Sequence, residues 1–198
     1  MLDMMRRLGL EQSTTLTEGW DTPSAILPNE QDLSADAALA NLSFGQGDLM
    51  LTPLQAALLA GVAASGGNLL SPEVVLGYVD VNKTFVEKER RGGETVISSR
   101  TVNLLRDMMK RVVTDGTGIR AQGNVVNAAG KTGTAETGQR NSAGYPVVQS
   151  WFTGYFPADN PRYVITVFAE DAQNTDADTA KAVCEISNNL YKLKGNGD

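Results

Sequence analysis

Seven consecutive residues, Ala129-Gly130-Lys131-Thr132-Gly133-Thr134-Ala135, constrain this chain more than any other stretch. They read as a strand that sets one cation beside two hydroxyls and a glycine. On an exposed sheet edge, a lysine and a neighbouring hydroxyl can together hold a carboxylate through charge-assisted hydrogen bonds. A glycine between them removes the Cβ that would keep another backbone away. The plainer reading is a strand edge blunted by a lysine against unwanted pairing. Flanking segments decide between the two.

Composition removes several classes of function. Histidine is absent, which excludes Ser-His-Asp and Cys-His mechanisms and the commonest metal ligand. A hydrolase or acyltransferase of this composition needs lysine or a carboxylate as its base. The single cysteine, Cys184, excludes an internal disulfide and any Cys-rich zinc site. A net charge of −6 with no basic stripe argues against nucleic acid as a partner. Asp171, Asp176 and Asp178 do not have the spacing of a calcium loop, and an Asp-rich helix start accounts for them. No metal or cofactor is expected. No apolar run reaches membrane length, and Met1 to Leu10 is too short and charged for a signal peptide.

The 198 residues are enough for one domain with a sizeable core. Leu2 to Leu10 reads as a short amphipathic helix and residues 11–36 as an extended surface connection. After the turn Gly45-Gln46-Gly47, Thr52 and Pro53 have the residue types of an N-cap and first helical position. The apolar run Leu54 to Ala64 then predicts a deeply buried helix, stopped by Ser65-Gly66-Gly67. Val74 to Val81 reads as a strand and Lys83 to Glu94 as a charged loop. Ser98 or Ser99 caps a helix that ends at Thr114-Asp115-Gly116-Thr117-Gly118. Asn124 to Ala135 is the lysine-bearing strand and Glu136 to Gln149 a polar loop. Ser150 to Phe156 and Tyr163 to Glu170 are further strands, with Trp151 and Phe152 on alternate faces, one rim and one core. Asp176 to Lys194 predicts a terminal helix with Ala180, Val183, Cys184, Ile186 and Leu190 inward. The fold class is α+β, an antiparallel sheet flanked by helices.

Taken in order, these segments resemble the C-terminal portion of a penicillin-binding protein transpeptidase domain, in the serine D,D-transpeptidase and β-lactamase-like superfamily. Phe44-Gly45-Gln46-Gly47 with Leu51-Thr52-Pro53-Leu54-Gln55-Ala56 resembles that family's glycine-rich turn and buried helix. Ala64-Ser65-Gly66-Gly67 with Pro72, and Val112-Val113 with Gly116-Thr117-Gly118, resemble the segments that follow. Lys131-Thr132-Gly133 matches its Lys-Thr-Gly signature, and Ser150-Trp151-Phe152-Thr153-Gly154-Tyr155-Phe156-Pro157 resembles the neighbouring strand. The resemblance implies an acyl-serine enzyme that cross-links peptidoglycan stem peptides and is a covalent target of β-lactams. It implies a catalytic role for Lys131, as the cation beside the nucleophile, and for Thr134, whose N–H is an oxyanion donor. Such a donor is worth about 3 kcal/mol in the transition state. It implies that Thr132, Gly133 and Thr134 bind substrate. The parent protein is then expected to be membrane-anchored, with this domain outside the cytoplasmic membrane.

Two family motifs do not match. No serine in the chain has a lysine three residues later, so Ser-x-x-Lys is absent. Ser-x-Asn occurs at Ser187-Asn188-Asn189, in a terminal helix and after the lysine strand, the wrong order for the family. Residues 1–198 are therefore expected to form a single incomplete transpeptidase domain, with 1–40 an extended lead-in and 41–198 the helices, signature strand and C-terminal helix. Alone, the chain is expected to be inactive. The alternatives are a non-catalytic peptide- or partner-binding module and one half of a split enzyme. The missing N-terminal part of the domain is an expected partner. Uncovered apolar surface or a free sheet edge makes self-association a further expectation.

Overall fold

Three strands carry the architecture, and all three lie between Ala129 and Ala169. The computed structural model describes residues 1–89, 92–172 and 175–193. Strand β7 (Ala129–Arg140) pairs antiparallel with β8 (Pro146–Phe156), which pairs antiparallel with β9 (Tyr163–Ala169), so the sheet order is β7-β8-β9. Preceding them are α1 (Leu2–Arg7), β1 (Thr14–Thr17), β2 (Trp20–Thr22), α2 (Asp36–Ser43) and α3 (Pro53–Ala64). Then come β3 (Asn68–Leu69), β4 (Gly77–Val79), β5 (Phe85–Glu87), β6 (Glu94–Thr95) and α4 (Ser99–Thr114). The last described element is α5 (Thr175–Leu193).

Side chains alternate across β8, as a strand requires. Ser150, Phe152 and Phe156 face α5: the Ser150 hydroxyl meets that of Thr179 at 3.0 Å, and Phe152 and Phe156 pack with Ala180 and Val183. Thr153 and Tyr155 face α3: Thr153 Oγ1 donates to the Ala56 carbonyl at 3.0 Å, and Tyr155 packs against Ala63 and Ala158. Helix α4 serves both cores, through Val113 on one side and Met109 on the other. The sheet is thus covered on both faces by helices, the expected α+β arrangement.

Helix α3 starts as its residues predict. The Thr52 side chain accepts from the Gln55 N–H and Gln55 reaches back to the Thr52 N–H, a capping box with Pro53 in the first turn. No residue from Leu54 to Ala64 is exposed. Its last carbonyls, Ala63 and Ala64, are taken by Arg106 at 2.8 and 2.7 Å. Gln55 also donates to the Leu10 carbonyl at 3.2 Å, which ties the start of the chain to this helix.

Five expectations need correction. Residues 11–36 hold a β1–β2 hairpin, turned at Gly19 with φ 76°, where polar threonines masked the strand signal. Lys83 to Glu94 is not a single loop: Phe85–Glu87 pairs with Gly77–Val79, the turn being fixed by two N–H groups donating to Asp80. That pairing also shortens the strand expected from Val74. Glu136 to Gln149 is mostly strand, since β7 runs to Arg140 and β8 starts at Pro146. Cross-strand pairing, not hydrophobicity, holds this polar ribbon. Ile186 and Leu190 are exposed at 41% and 37%, while Thr179, Ser187 and Asn188 are buried. The helix face was misplaced because three polar residues on it find hydrogen-bond partners inside.

Candidate active site

The lysine strand is the open margin of the sheet. Register along β7 and β8 pairs Lys131 with Thr153, Thr132 with Phe152, Gly133 with Trp151 and Thr134 with Ser150. Two glycines bring these strands together: a Cβ on Gly130 would lie 2.5 Å from the Phe152 ring, and one on Gly154 2.1 Å from the Ala129 carbonyl oxygen. Glycine here is a packing requirement at the foot of the site.

Along the outer margin, Gln46 Nε2 donates to the Thr134 carbonyl at 2.7 Å. Lys131 Nζ donates to the Thr132 carbonyl at 2.6 Å. Both carbonyls therefore point away from β8. In an antiparallel strand the N–H and C=O of one residue share a side, so the Thr134 N–H also faces outward. The Thr132 hydroxyl meets that of Thr117 at 2.6 Å, and the Thr132 side chain is buried. Thr117 is held by the turn after α4, where the Gly118 N–H donates to the Val112 carbonyl at 2.8 Å. One lysine, two coupled hydroxyls and one outward peptide thus sit on a single edge.

Beside that edge runs a groove of about 880 Å³. Lys131, Thr132, Gly133, Thr134 and Thr117 line one side, and Trp151 and Phe168 are among its apolar lining. The two rings lie 4.3 Å apart between centroids, tilted by 42°. Phe152, by contrast, is fully buried, so the expected rim-and-core alternation holds. The far wall is the segment from Phe44 to Pro53, positioned by two hydrogen bonds of 3.0 Å between Ile26 and Met50. Gln46 sits between Gly45 and Gly47, whose φ values of 84° and 85° let the turn bring it up to β7.

Lys131, Thr132, Gly133 and Thr134, consecutive on β7, all line this groove. In sequence, Gln46 and Thr117 stand only as parts of glycine-flanked turns, Gly45-Gln46-Gly47 reading as structural, and not as site residues. Ser187-Asn188 is structural: Asn188 Oδ1 accepts from the N–H groups of Val125 and Val126, each at 3.2 Å. Among the described residues no group of acidic, histidine or cysteine side chains could hold a metal.

The fold is an antiparallel sheet flanked by helices, with a lysine-bearing strand at its margin beside an open groove. The family description "Penicillin binding protein transpeptidase domain" matches residues 1–192, and the chain belongs to that family. It is 33% identical over 180 residues to penicillin-binding protein PbpB of Mycolicibacterium smegmatis, which covers 86% of this chain and 27% of PbpB. It is 33% identical over 168 residues to peptidoglycan D,D-transpeptidase PbpA of the same species, covering 77% of this chain and 32% of the relative. Among solved structures, penicillin binding protein 3 of Mycobacterium tuberculosis, complexed with aztreonam, superposes with a TM-score of 0.80 at 29% identity. That match covers 98% of this chain and 46% of the other. The chain thus spans about a third or less of these two curated relatives and under half of the solved one.

Proposed function

We propose that the outer edge of β7 is the substrate-carboxylate and oxyanion strand of a D,D-transpeptidase acting on peptidoglycan stem peptides. The observation that supports this reading is that Lys131, Thr132, Thr134 and Thr117 all line one groove, with the Thr132 and Thr117 hydroxyls 2.6 Å apart. Lys131 supplies the cation. Thr132 and Thr134 offer hydroxyls to a terminal carboxylate, and the Thr134 N–H faces the position of a developing oxyanion. Gly133 leaves the strand surface open to a peptide lying alongside. The same constellation takes the carboxylate of a β-lactam.

In this reading residues 1–198 are part of one transpeptidase domain whose nucleophile lies outside them, because no Ser-x-x-Lys occurs among them. The chain binds and does not turn over. The parent protein is anchored to the membrane with this domain outside; among the described residues no helix is long and apolar enough to cross one. Uncovered apolar surface or a free sheet edge also gives copies of the chain a reason to associate.

Incubation with a fluorescent penicillin is expected to give no covalent label, and calorimetry with a D-Ala-D-Ala peptide a reversible complex. Lys131→Met is expected to weaken that complex by roughly tenfold to a hundredfold, the size of one charged hydrogen bond. Stoichiometric acylation of a serine would overturn the non-catalytic part, and binding unaffected by Lys131→Met would overturn the site. In the split-enzyme reading, acylation appears only when a chain bearing Ser-x-x-Lys is mixed in.

A further inference from the structure

The outward carbonyls of β7 already have donors. A strand edge binds an added peptide through its outward N–H and C=O groups, and on β7 the outward carbonyls are those of Thr132 and Thr134. Thr132 accepts from Lys131 Nζ and Thr134 from Gln46 Nε2. The two donors differ in origin. Lys131 is rooted in β7 itself, whereas Gln46 reaches across from the far wall of the groove, 88 positions away. Its carboxamide N–H has the donor chemistry of a peptide N–H, so it stands where an added peptide would place its own. The turn that carries it is anchored: the Gly45 N–H donates to the Leu42 carbonyl at 3.1 Å and the Gln46 N–H to the Asn41 carbonyl at 3.0 Å. The side-chain bond to Thr134, by contrast, is exposed to solvent. The flanks of the turn are also open, since a Cβ on Gly45 would meet nothing within 4 Å and one on Gly47 only Asn41 Cβ at 3.9 Å. Rotation about the glutamine's own torsions therefore withdraws the amide while the backbone stays in place.

We infer that Gln46 is a gate that sets which ligands the strand accepts: it caps the Thr134 carbonyl in the empty site and yields it only to an amide N–H. The inference rests on the reading of β7 as the ligand strand. The N–H and C=O of Thr134 share a side, so one residue of a ligand can exchange both bonds with it, as in an antiparallel pair. Such a residue carries a carbonyl and an acylated amino group on the same carbon. Its N–H replaces the Gln46 N–H at the same acceptor, and one neutral hydrogen bond is exchanged for another at little net cost. A ligand with oxygen in place of that N–H cannot make the exchange. It either leaves the glutamine where it is and forgoes the pairing, or displaces it and sets an ester oxygen against the carbonyl. In both cases it loses a bond that the amide keeps. The gate thus weakens binding of every ligand that lies along the strand, and weakens it most for those without the N–H, which is selectivity by a built-in competitor.

Calorimetry and heteronuclear NMR of the full chain test the gate with two ligands, N-acetyl-D-Ala-D-Ala and the analogue in which oxygen replaces the acetamido N–H. Saturation with the acetamido peptide is expected to move the Gln46 side-chain amide signals to the positions of a solvated carboxamide. The oxygen analogue is expected to bind several-fold more weakly. Gln46→Ala and Gln46→Met, the second keeping the length of the side chain without its donor, are each expected to bind the acetamido peptide about fivefold more tightly, the size of one neutral hydrogen bond. Gln46 signals that stay in place at saturation, or no gain in affinity in either folded variant, would overturn the gate while leaving the strand reading intact. Peptide binding indifferent to Lys131→Met, or no binding of the acetamido peptide at all, would overturn the strand reading and the gate with it.

Discussion

Gln46 and Thr134 lie 88 positions apart in sequence and meet through one hydrogen bond, the glutamine Nε2 donating to the Thr134 carbonyl at 2.7 Å. The contact ties the turn before α3 to the edge of β7 and sets the width of the groove between them. Gln46→Ala is expected to cost about 1 kcal/mol, the usual net worth of such a bond. Urea denaturation measures that loss. Faster amide exchange at Thr134 and Ala135 with unchanged exchange in β9 would locate it at the groove.

Two glycines three residues apart are expected to behave in opposite ways. A Cβ on Gly133 would meet only the Trp151 side chain, Cβ at 3.4 Å and Cγ at 4.0 Å, whereas one on Gly130 would overlap the Phe152 ring. Gly133→Ala should therefore leave the melting temperature within experimental scatter and weaken peptide binding, because the obstruction falls on the ligand side. Gly130→Ala should destabilise the fold by about 1–3 kcal/mol through overpacking. Thermal melts paired with calorimetric titrations separate the two, and equal stability losses would refute the distinction.

Asn188 satisfies two backbone N–H groups with a single side-chain oxygen, at Val125 and Val126. Asn188→Ala leaves both donors short of a partner in the interior and is expected to cost about 2–3 kcal/mol. Residual folded protein should still bind peptide with parental affinity, since the residue supports the approach to β7 and does not touch the groove. Loss of affinity at full folding would instead give Ser187-Asn188-Asn189 a direct part in recognition.

The Tyr155 side chain is fully buried, and its hydroxyl finds no hydrogen-bond partner among the described residues. Burial pushes its pKa above the usual 10.0; Arg106 opposes the shift, while Asp107 and Asp159 add to it. The folded state therefore holds this proton more tightly than the unfolded chain. Stability linked to it is intact below about pH 10 and declines as pH rises from there through the folded-state pKa. Tyr155→Phe should be neutral or mildly stabilising near pH 7, where it removes an orphaned hydroxyl, and should flatten the alkaline decline. Denaturation curves of the two proteins at matched pH check both statements.

How much of this was legible in sequence depends on which force dominates each segment. Helix α3 announced itself through Thr52, Pro53 and an unbroken apolar run, and α4 through its serine cap, because local chemistry decides such boundaries. The strand at Lys131 and its neighbour at Trp151 followed from composition and from family resemblance. Sequence was silent where partners are distant. Thr137 looked like loop because nothing near it is apolar, yet its hydroxyl donates to the Val147 carbonyl at 2.9 Å across the ribbon. Ile186 and Leu190 looked internal because hydrophobicity was the only guide, while Thr179 reaches Ser150 and Asn188 reaches Val125. Gln46 could be placed in a turn but not at the site, since nothing local tells which strand a turn will touch.

The distal stretch of β7 and β8, from Glu136 to Val148, projects past the end of β9 as a two-stranded arm around the turn at residues 141–145. Its root is pinned where the Ala172 N–H donates to the Val148 carbonyl at 2.7 Å. It is held a second time near its turn, where Asn141 Nδ2 donates to the Asp171 carboxylate at 3.1 and 3.3 Å. Residues added or removed there in pairs preserve which side chains point up and which point down. The ribbon can thus be lengthened or shortened while Lys131 keeps its register opposite Thr153.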